Sequence, residues 1–249
     1  KISYCVNAIS GIEGLEPTLK IIPYTNNILI ANKESIICGW NLIKKKLNYY
    51  NTNFIPIDSE HYSIWKLLNG QYNKDIDKIY LTASGGPFLN VPKKKLLNIK
   101  PHLALKHPNW KMGKKISIDS SNMMNKIFEF IEAKKIFNLT NKKLFIVIHP
   151  DSFVHAIIIF KTGLIKILAH DTKMIVPISN ALQSNLKFKS KTDEIVNKLN
   201  NLNLKKTDKK KFPLLNLIKF IPENESYFEI ILITLNDNLV NKYLNGEIN

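Results

Sequence analysis

Ile2-Ser3-Tyr4-Cys5-Val6-Asn7-Ala8-Ile9, followed by Gly11 and Gly14, then Leu15-Glu16-Pro17-Thr18-Leu19-Lys20-Ile21-Ile22 and Ile28-Leu29-Ile30-Ala31, is the run that sets the fold class. Its first stretch has strand composition and stops at two glycines, a turn signal. Residues 15–22 can form a helix, because proline is tolerated in a first helical turn. Residues 28–31 read as a second buried strand. Strand, helix and strand in that order make a βαβ unit, so the chain is read as α/β. Further strands are predicted at 54–57, 78–82 and 144–148, with a hairpin of 154–160 and 164–169 around Lys161-Thr162-Gly163. Helices are predicted at 40–49, 61–68, 121–137 and 192–199. The Lys- and Asn-rich segment 183–211 reads as a loose linker. From Phe212 onward the stretches are helix-like without completing a bundle. There is no internal repeat.

Composition narrows the possible partners. At 249 residues and 45% hydrophobic, the chain is long and apolar enough to bury a sizeable core, as one large domain or two small ones. No run of eighteen apolar residues is present, so no membrane span or membrane partner is expected. The net charge of +16 invites a nucleic-acid reading. Yet all 36 basic residues are lysine, and arginine is the preferred fork for phosphate and guanine. Abundant Lys, Asn and Ile instead carry the signature of AT-rich coding, and no nucleic-acid partner is expected. Cys5 and Cys38 support neither a disulfide framework nor a metal cluster. The chain opens on Lys1 inside a strand-like stretch, which reads as part of a longer protein.

Four segments carry chemistry. In Pro56-Ile57-Asp58-Ser59-Glu60-His61, Asp58 and Glu60 sit two apart at a strand end. Period-two geometry would send both carboxylates to one face, where a hard cation such as Mg²⁺ or Mn²⁺ relieves their repulsion. A solvated turn is the other reading. Ser84 precedes Gly85-Gly86, whose bare backbone lets a ligand approach, or which forms only a turn. His107-Pro108-Asn109-Trp110-Lys111-Met112-Gly113 reads as a loop with an exposed tryptophan, a feature of lids and interfaces. In Ser120-Ser121-Asn122-Met123-Met124-Asn125-Lys126, the serines are expected at a helix N-cap. A phosphate there would meet free N–H groups, Ser120, Asn125 and Lys126. In that helix Met124, Ile127, Phe128 and Ile131 form an apolar stripe, with Asn125, Glu129 and Glu132 on a neighbouring face. His149 and His155 are read as satisfied core residues, and Met123 and Met124 as packing. No G-x-G-x-x-G string occurs, so the main dinucleotide cradle is missing from this chain.

Three strings in order, Ala31-Asn32-Lys33-Glu34-Ser35, Ser84-Gly85-Gly86-Pro87-Phe88 and His107-Pro108-Asn109-Trp110-Lys111-Met112, closely resemble 1-deoxy-D-xylulose-5-phosphate reductoisomerases. The resemblance is dense from Ala31 to about Val154 and patchy beyond. It implies the tail of a Rossmann-like nucleotide-binding domain at 1–52 and an α+β catalytic domain with a mixed sheet at 53–182. The linker would be 183–211 and a partial C-terminal helical region 212–249. It also implies NADPH and a divalent metal (Mg²⁺ or Mn²⁺) as cofactors, a sugar-phosphate substrate, and a homodimer.

Carried over residue by residue, the resemblance makes Asp58, Glu60 and Glu129 metal ligands. Lys33, Ser59, Glu60 and His107 would be catalytic. Ser84, His107, Ser120, Asn125 and Lys126 would anchor the phosphate, Trp110 and Met112 would cover the carbon skeleton as a closing flap, and Glu129 would also face the substrate. Asn32, Glu34 and Gly113 would contact NADPH. The implied reaction converts 1-deoxy-D-xylulose 5-phosphate to 2-C-methyl-D-erythritol 4-phosphate, in a plastid- or apicoplast-like organelle or a bacterial cytoplasm. Departures are Ile127 where the family usually has glycine, His170-Asp171-Thr172-Lys173-Met174-Ile175 in place of Gly-x-Pro-Asp-Met-Arg, and Ser184-Asn185 in place of Trp-Pro. They suggest an eroded C-terminal part, and with it an alternative: a non-catalytic remnant that binds a sugar phosphate or a partner protein.

Overall fold

The computed structural model describes residues 1–69, 75–184 and 192–249. Strands β1 (Ile2–Asn7), β2 (Thr25–Ile30) and β3 (Asn53–Pro56) pair in parallel in that order. Helix α1 (Leu15–Ile21) crosses from β1 to β2 and α2 (Lys33–Tyr50) from β2 to β3, the βαβ alternation read from the sequence. Helix α2 starts well before the predicted residue 40. Asn32 is the reason: its Oδ1 accepts from Ser35 N at 2.5 Å, while its Nδ2 donates to Gly11 O at 2.7 Å and to Ile9 O. The cap places Lys33 and Glu34 in the first helical turn, not at a strand end.

The second sheet is mixed, in the order β7-β6-β4-β5-β8. Its strands are β4 (Ile76–Ala83), β5 (Leu144–Ile148), β6 (Val154–Phe160), β7 (Ile165–Ala169) and β8 (Lys205–Lys206). Only β4 and β5 run parallel; the hairpin of β6 and β7 is antiparallel as predicted. Strand β8 falls inside the predicted linker and pairs Lys206 with Val147, so that stretch ends as a sheet edge. The Asn185 position noted above lies outside the described residues.

Helices α3 (Ser59–Leu68) and α6 (Met124–Phe137) flank the mixed sheet, and α2 packs on α6 from the first sheet's side. Helix α6 is therefore covered almost all round. Ile127, Ile131 and Ala133 are fully enclosed, and its polar face, Lys126, Glu129 and Glu132, is buried as well. Ile127, which stands where the family usually has glycine, simply joins this core. Helices α2, α3 and α6 each end on an asparagine in the left-handed region, Asn51, Asn69 and Asn138, the residue type besides glycine that tolerates it.

The single helix predicted at 121–137 is instead two. Helix α5 (Lys114–Ser121) stops, the chain turns through Asn122 and Met123, and α6 begins at Met124. Ser120 and Ser121 therefore close α5 and do not cap α6. Asn122 Oδ1 accepts from Met124 N at 2.9 Å, and Met123 holds a left-handed φ of 71°. Helix α5 escaped detection because Ile116 and Ile118 alternate with polar residues at period two, hiding the helical period.

The short α4 (Pro101–Ala104), α7 (Ile175–Ala181), α8 (Thr192–Asn200), a 3-10 segment Pro213–Phe220 and α9 (Phe228–Leu244) complete the chain. Among the described residues no helix is long and apolar enough to cross a membrane. Helix α9 docks on α5 through polar contacts. Asn236 Nδ2 donates to Asp119 Oδ1 at 2.8 Å, and Lys115 Nζ meets Glu34 Oε1 at 2.8 Å, Asp237 Oδ1 at 3.1 Å and Asp119 Oδ2 at 3.4 Å.

Burial pushes the Asp119 carboxyl up to about 6, against the pull of Lys115. A raised carboxyl favours its neutral form in the fold, so stability is intact below the unfolded value of about 3.9 and falls as pH rises toward 6. Asp119→Asn should therefore gain about 1–3 kcal/mol over the parent at pH 7.5 and almost nothing at pH 4. Urea melts at the two pH values measure this; a difference independent of pH would contradict it.

Candidate active site

The site forms where the end of β4, the starts of α2 and α3, and the α5–α6 joint converge around a cavity of about 310 Å³. Asp58 does not lie in a strand with Glu60, as period-two spacing suggested. It is the N-cap of α3, its Oδ1 accepting from Glu60 N at 3.3 Å, and Glu60 lies in the first turn. The cap geometry, not strand alternation, puts both carboxylates on the cavity. Glu129 arrives from the second turn of α6, and one oxygen each of Asp58, Glu60 and Glu129 lie within 4.8 Å of one another.

Two lysines hold these acids apart. Lys126 Nζ donates to Glu60 Oε1 at 2.8 Å and lies against Glu129 Oε2. Lys33 Nζ pairs with Asp58 Oδ2 and stands 3.4 Å from Glu132 Oε2 and 3.9 Å from Glu129 Oε1. Asn125 Nδ2 donates to Glu129 Oε1 at 2.5 Å, and Ser59 Oγ to Glu60 Oε2 at 2.5 Å. Burial pulls Lys33 down, but Asp58, Glu132 and Glu129 together raise it well above the ordinary lysine value. Burial would raise Asp58, but Lys33 and His61 bring it well below the usual carboxylate range.

Glu129 goes the other way, up to about 8, through burial and then repulsion from Glu60, with Lys126 opposing. Its Oε2 is buried against the Lys126 ammonium. Three carboxylates answered by two ammonium groups, one of them shared with Glu132, are a donor set short of positive charge. The three acids thus fit a hard divalent cation.

The hydroxyl side of the cavity is built by the Ser84-Gly85-Gly86 turn. Gly86 has φ 66°, and a Cβ there would lie 2.7 Å from Ser120 O, so glycine lets the turn close onto the end of α5. Ser84 Oγ accepts from Gly86 N at 3.1 Å. His107 Nδ1 accepts from Trp110 N at 3.0 Å and Asn109 N at 3.2 Å, so its proton is on Nε2, 3.0 Å from Ser84 Oγ. With Oγ accepting from both neighbours, its own proton is left to donate into the cavity. Burial and the nearby Lys126 depress His107 to about 4, keeping it neutral.

Trp110 is not exposed as the sequence suggested. It is half-buried, edge-on to His155 at 6.1 Å, because Asn109 pins the loop: its Nδ2 donates to Pro150 O at 2.6 Å and Ser152 Oγ at 2.9 Å. Met112, Gly113, Ser120, Lys126 and Met174 also line the cavity. Of the residues proposed to meet NADPH, Gly113 reaches the cavity. Asn32 is spent on capping α2, and Glu34 is paired with Lys115.

Sequence reasoning passed over three groups. His155, set aside as a core histidine, lines the cavity and stacks on His170 at 3.7 Å. His149 is not fully satisfied, since its Nε2 has no hydrogen-bond partner. His61 and Glu132 sit directly behind Asp58 and Lys33. Their spacing was the available signal: each lies three residues past a metal-type carboxylate on a helix, hence on the same face.

As a class, this is an α/β protein whose cavity joins three carboxylates to hydroxyl, amide and ammonium donors, suited to a cation and an anionic, oxygen-rich small molecule. Family models described as 1-deoxy-D-xylulose 5-phosphate reductoisomerase, its C-terminal domain, and the DXP reductoisomerase C-terminal domain match residues 1–39, 54–137 and 170–249. The chain is 56% identical to the 1-deoxy-D-xylulose 5-phosphate reductoisomerase of Pelagibacter ubique (strain HTCC1062), over 100% of this chain and 64% of that protein. It is 42% identical to that of Wolbachia sp. subsp. Drosophila simulans (strain wRi), over 99% of this chain and 64% of that one.

A crystal structure of DOX-P reductoisomerase with NADPH, fosmidomycin and magnesium superposes with TM-score 0.88 at 34% identity, covering 99% of this chain and 63% of that one. The Zymomonas mobilis enzyme with NADPH gives 0.87 at 28% identity, covering 98% of this chain and 64% of that one. The chain belongs to the 1-deoxy-D-xylulose 5-phosphate reductoisomerase family and spans 64% of the length of its curated relatives. The match over residues 170–249 corrects the expectation of an eroded C-terminal part: this region diverges in its motifs, but it is the family's own.

A neutral His107 bonded at both nitrogens should not titrate between pH 8 and 5. Ring ¹⁵N shifts should report the Nε2–H tautomer across that range; a midpoint near 6.5 would contradict the Ser84 arrangement.

Proposed function

We propose that this chain carries the metal- and substrate-binding part of a 1-deoxy-D-xylulose 5-phosphate reductoisomerase, which rearranges its substrate and reduces it with NADPH to 2-C-methyl-D-erythritol 4-phosphate. The observation that carries the reading is the convergence of Asp58, Glu60 and Glu129 beside Ser84, Ser120, Asn125 and Lys126 around one cavity. Within the boundaries expected from the sequence, residues 53–182 would hold the catalytic domain and 1–52 the flank of the nucleotide domain.

Asp58, Glu60 and Glu129 would hold Mg²⁺ or Mn²⁺, which supplies Lewis acidity toward the carbonyl and hydroxyl oxygens of the substrate. Ser84 would donate its free hydroxyl proton to the phosphate, with His107 fixing the direction of that proton. Lys126 and Asn125, now engaged with Glu60 and Glu129, would turn their donors to the phosphate and leave those carboxylates to the cation. Lys33 and Ser59 would orient the sugar oxygens. Trp110 and Met112, on the loop pinned by Asn109, would exclude water from the carbon skeleton. Remote phosphate contacts then orient the reacting carbons.

For NADPH, Gly113 lines the cavity, while Asn32 and Glu34 sit at the start of α2 beside it; the related structures that hold NADPH support the reading. A homodimer is supported by β7, an edge strand with Ile165 and Ile167 exposed, which invites pairing or cover. Relatives from Pelagibacter and Wolbachia support a bacterial cytoplasm over a plastid.

Calorimetry of 1-deoxy-D-xylulose 5-phosphate with and without Mg²⁺ tests the proposal. Binding should require the ion, and Glu129→Gln should weaken it at least tenfold while leaving the circular dichroism unchanged. Ion-independent binding, or full affinity in Glu129→Gln, would refute the assignment. In a full-length enzyme, Lys126→Ala should raise KM at least tenfold; an unchanged KM would remove Lys126 from the phosphate site.

A further inference from the structure

Behind the three proposed metal ligands lies a second constellation. Oxygens of Asp58 and Glu132 and a ring nitrogen of His61 come within 4.8 Å of one another. His61 is fully buried and Glu132 is 1% exposed. His61 Nε2 is 2.9 Å from the carbonyl oxygen of Glu129, to which it donates. Its Nδ1 is turned the other way, 3.5 Å from Asp58 Oδ1 and 3.9 Å from Glu132 Oε2, and has no hydrogen-bond partner. In the parent this nitrogen faces the two carboxylates as an ion pair; once it gives up its proton, two carboxylates and an imidazole nitrogen, all converging, are the ligand set of a transition-metal site.

The position is filled by Lys33, whose Nζ pairs with Asp58 and lies 3.4 Å from Glu132. Lys33 opens α2, where the positive end of the helix disfavours an ammonium group. Nothing in α2 itself explains a buried lysine there; the acids facing it do. Asp58 is common to both constellations.

We propose that Asp58, His61 and Glu132 form a second cation site, fused to the first through Asp58, in which the Lys33 ammonium stands in place of a metal. The centre is then a two-cation centre with one exchangeable ion and one fixed to the chain. The fixed charge holds the shared Asp58 whether or not the exchangeable ion is bound. Removing it should open a site for a divalent ion that accepts imidazole, Mn²⁺ over Mg²⁺, since Mg²⁺ favours an all-oxygen shell. The inference rests on the first site being a metal site, as proposed above.

The test is Mn²⁺ titration followed by calorimetry and electron paramagnetic resonance, on the parent chain, Lys33→Ala, and Lys33→Ala with Glu132→Gln. The parent should take up one Mn²⁺ with a six-line spectrum. Lys33→Ala should take up two, its spectrum broadened by coupling, because ions sharing a carboxylate sit about 4 Å apart. Adding Glu132→Gln should return the count to one, and with Mg²⁺ alone Lys33→Ala should stay at one. One Mn²⁺ in both parent and Lys33→Ala would overturn the inference and leave the first site standing.

A parent that binds none would remove the first site instead. Uptake by Lys33→Ala that Glu132→Gln abolishes and Glu60→Gln does not would still support the second. Should Lys33→Ala be unfolded by circular dichroism, refolding by Mn²⁺ that needs Glu132 supports the inference, and failure of Mn²⁺ to refold it overturns it.

Discussion

Two carboxylates buried one turn apart on α6, Glu129 and Glu132, are the constraint around which the molecule is arranged. Taking an ionised group out of water costs several kcal/mol unless it is paired and hydrogen-bonded. Here the compensation comes mostly from other elements, Lys33 from the first turn of α2 and His61 from α3, with Lys126 added from α6 itself. Four carboxylates (Asp58, Glu60, Glu129 and Glu132) face two ammonium groups and one imidazole. The shortfall collects on Glu129, whose proton affinity is raised while that of Asp58 is lowered. That asymmetry marks the cavity side of the cluster as the place for an added cation.

The rest of the fold serves this geometry. The Asn32 cap starts α2 early enough to bring Lys33 to the cluster, and the Asp58 cap does the same for Glu60. The left-handed turn at Met123 breaks what would be one long helix, so that Ser120 from α5 and Asn125 and Lys126 from α6 meet across a joint. Strained non-glycine backbone of this kind gathers where positioning matters. The loop from His107 to Gly113 is held down by Asn109 on the turn between β5 and β6, and the same loop fixes the tautomer that frees the Ser84 proton.

Much of this was legible in the sequence. Period-two and period-3.6 patterns located the strands and the longer helices, because those residues pack on one face. The motif strings around Asn32, Ser84 and His107 identified the family. What stayed hidden has a physical cause in each instance. Caps are set by one side chain reaching back to the backbone, so the early start of α2 and the placement of Asp58 leave no periodic trace. Helix α5 carries alternating apolar residues because it is buried on more than one side. Glu132 and His61 look like solvated helix polars until tertiary packing turns them inward. Asn32 and Glu34 show the converse: motif residues whose side chains are already committed, to a cap and to Lys115.

The central claim is that the α6 cluster keeps uncompensated negative charge on its cavity side, which a bound divalent cation offsets. The most direct measurement is the thermal midpoint of the chain at pH 7.5 as Mg²⁺ is added, with Ca²⁺-free buffer and matched ionic strength. The account predicts a rise that saturates with one ion bound per chain, since a ligand held only by the folded state stabilises it by mass action. A midpoint unmoved by Mg²⁺ beyond the ionic-strength control would contradict it.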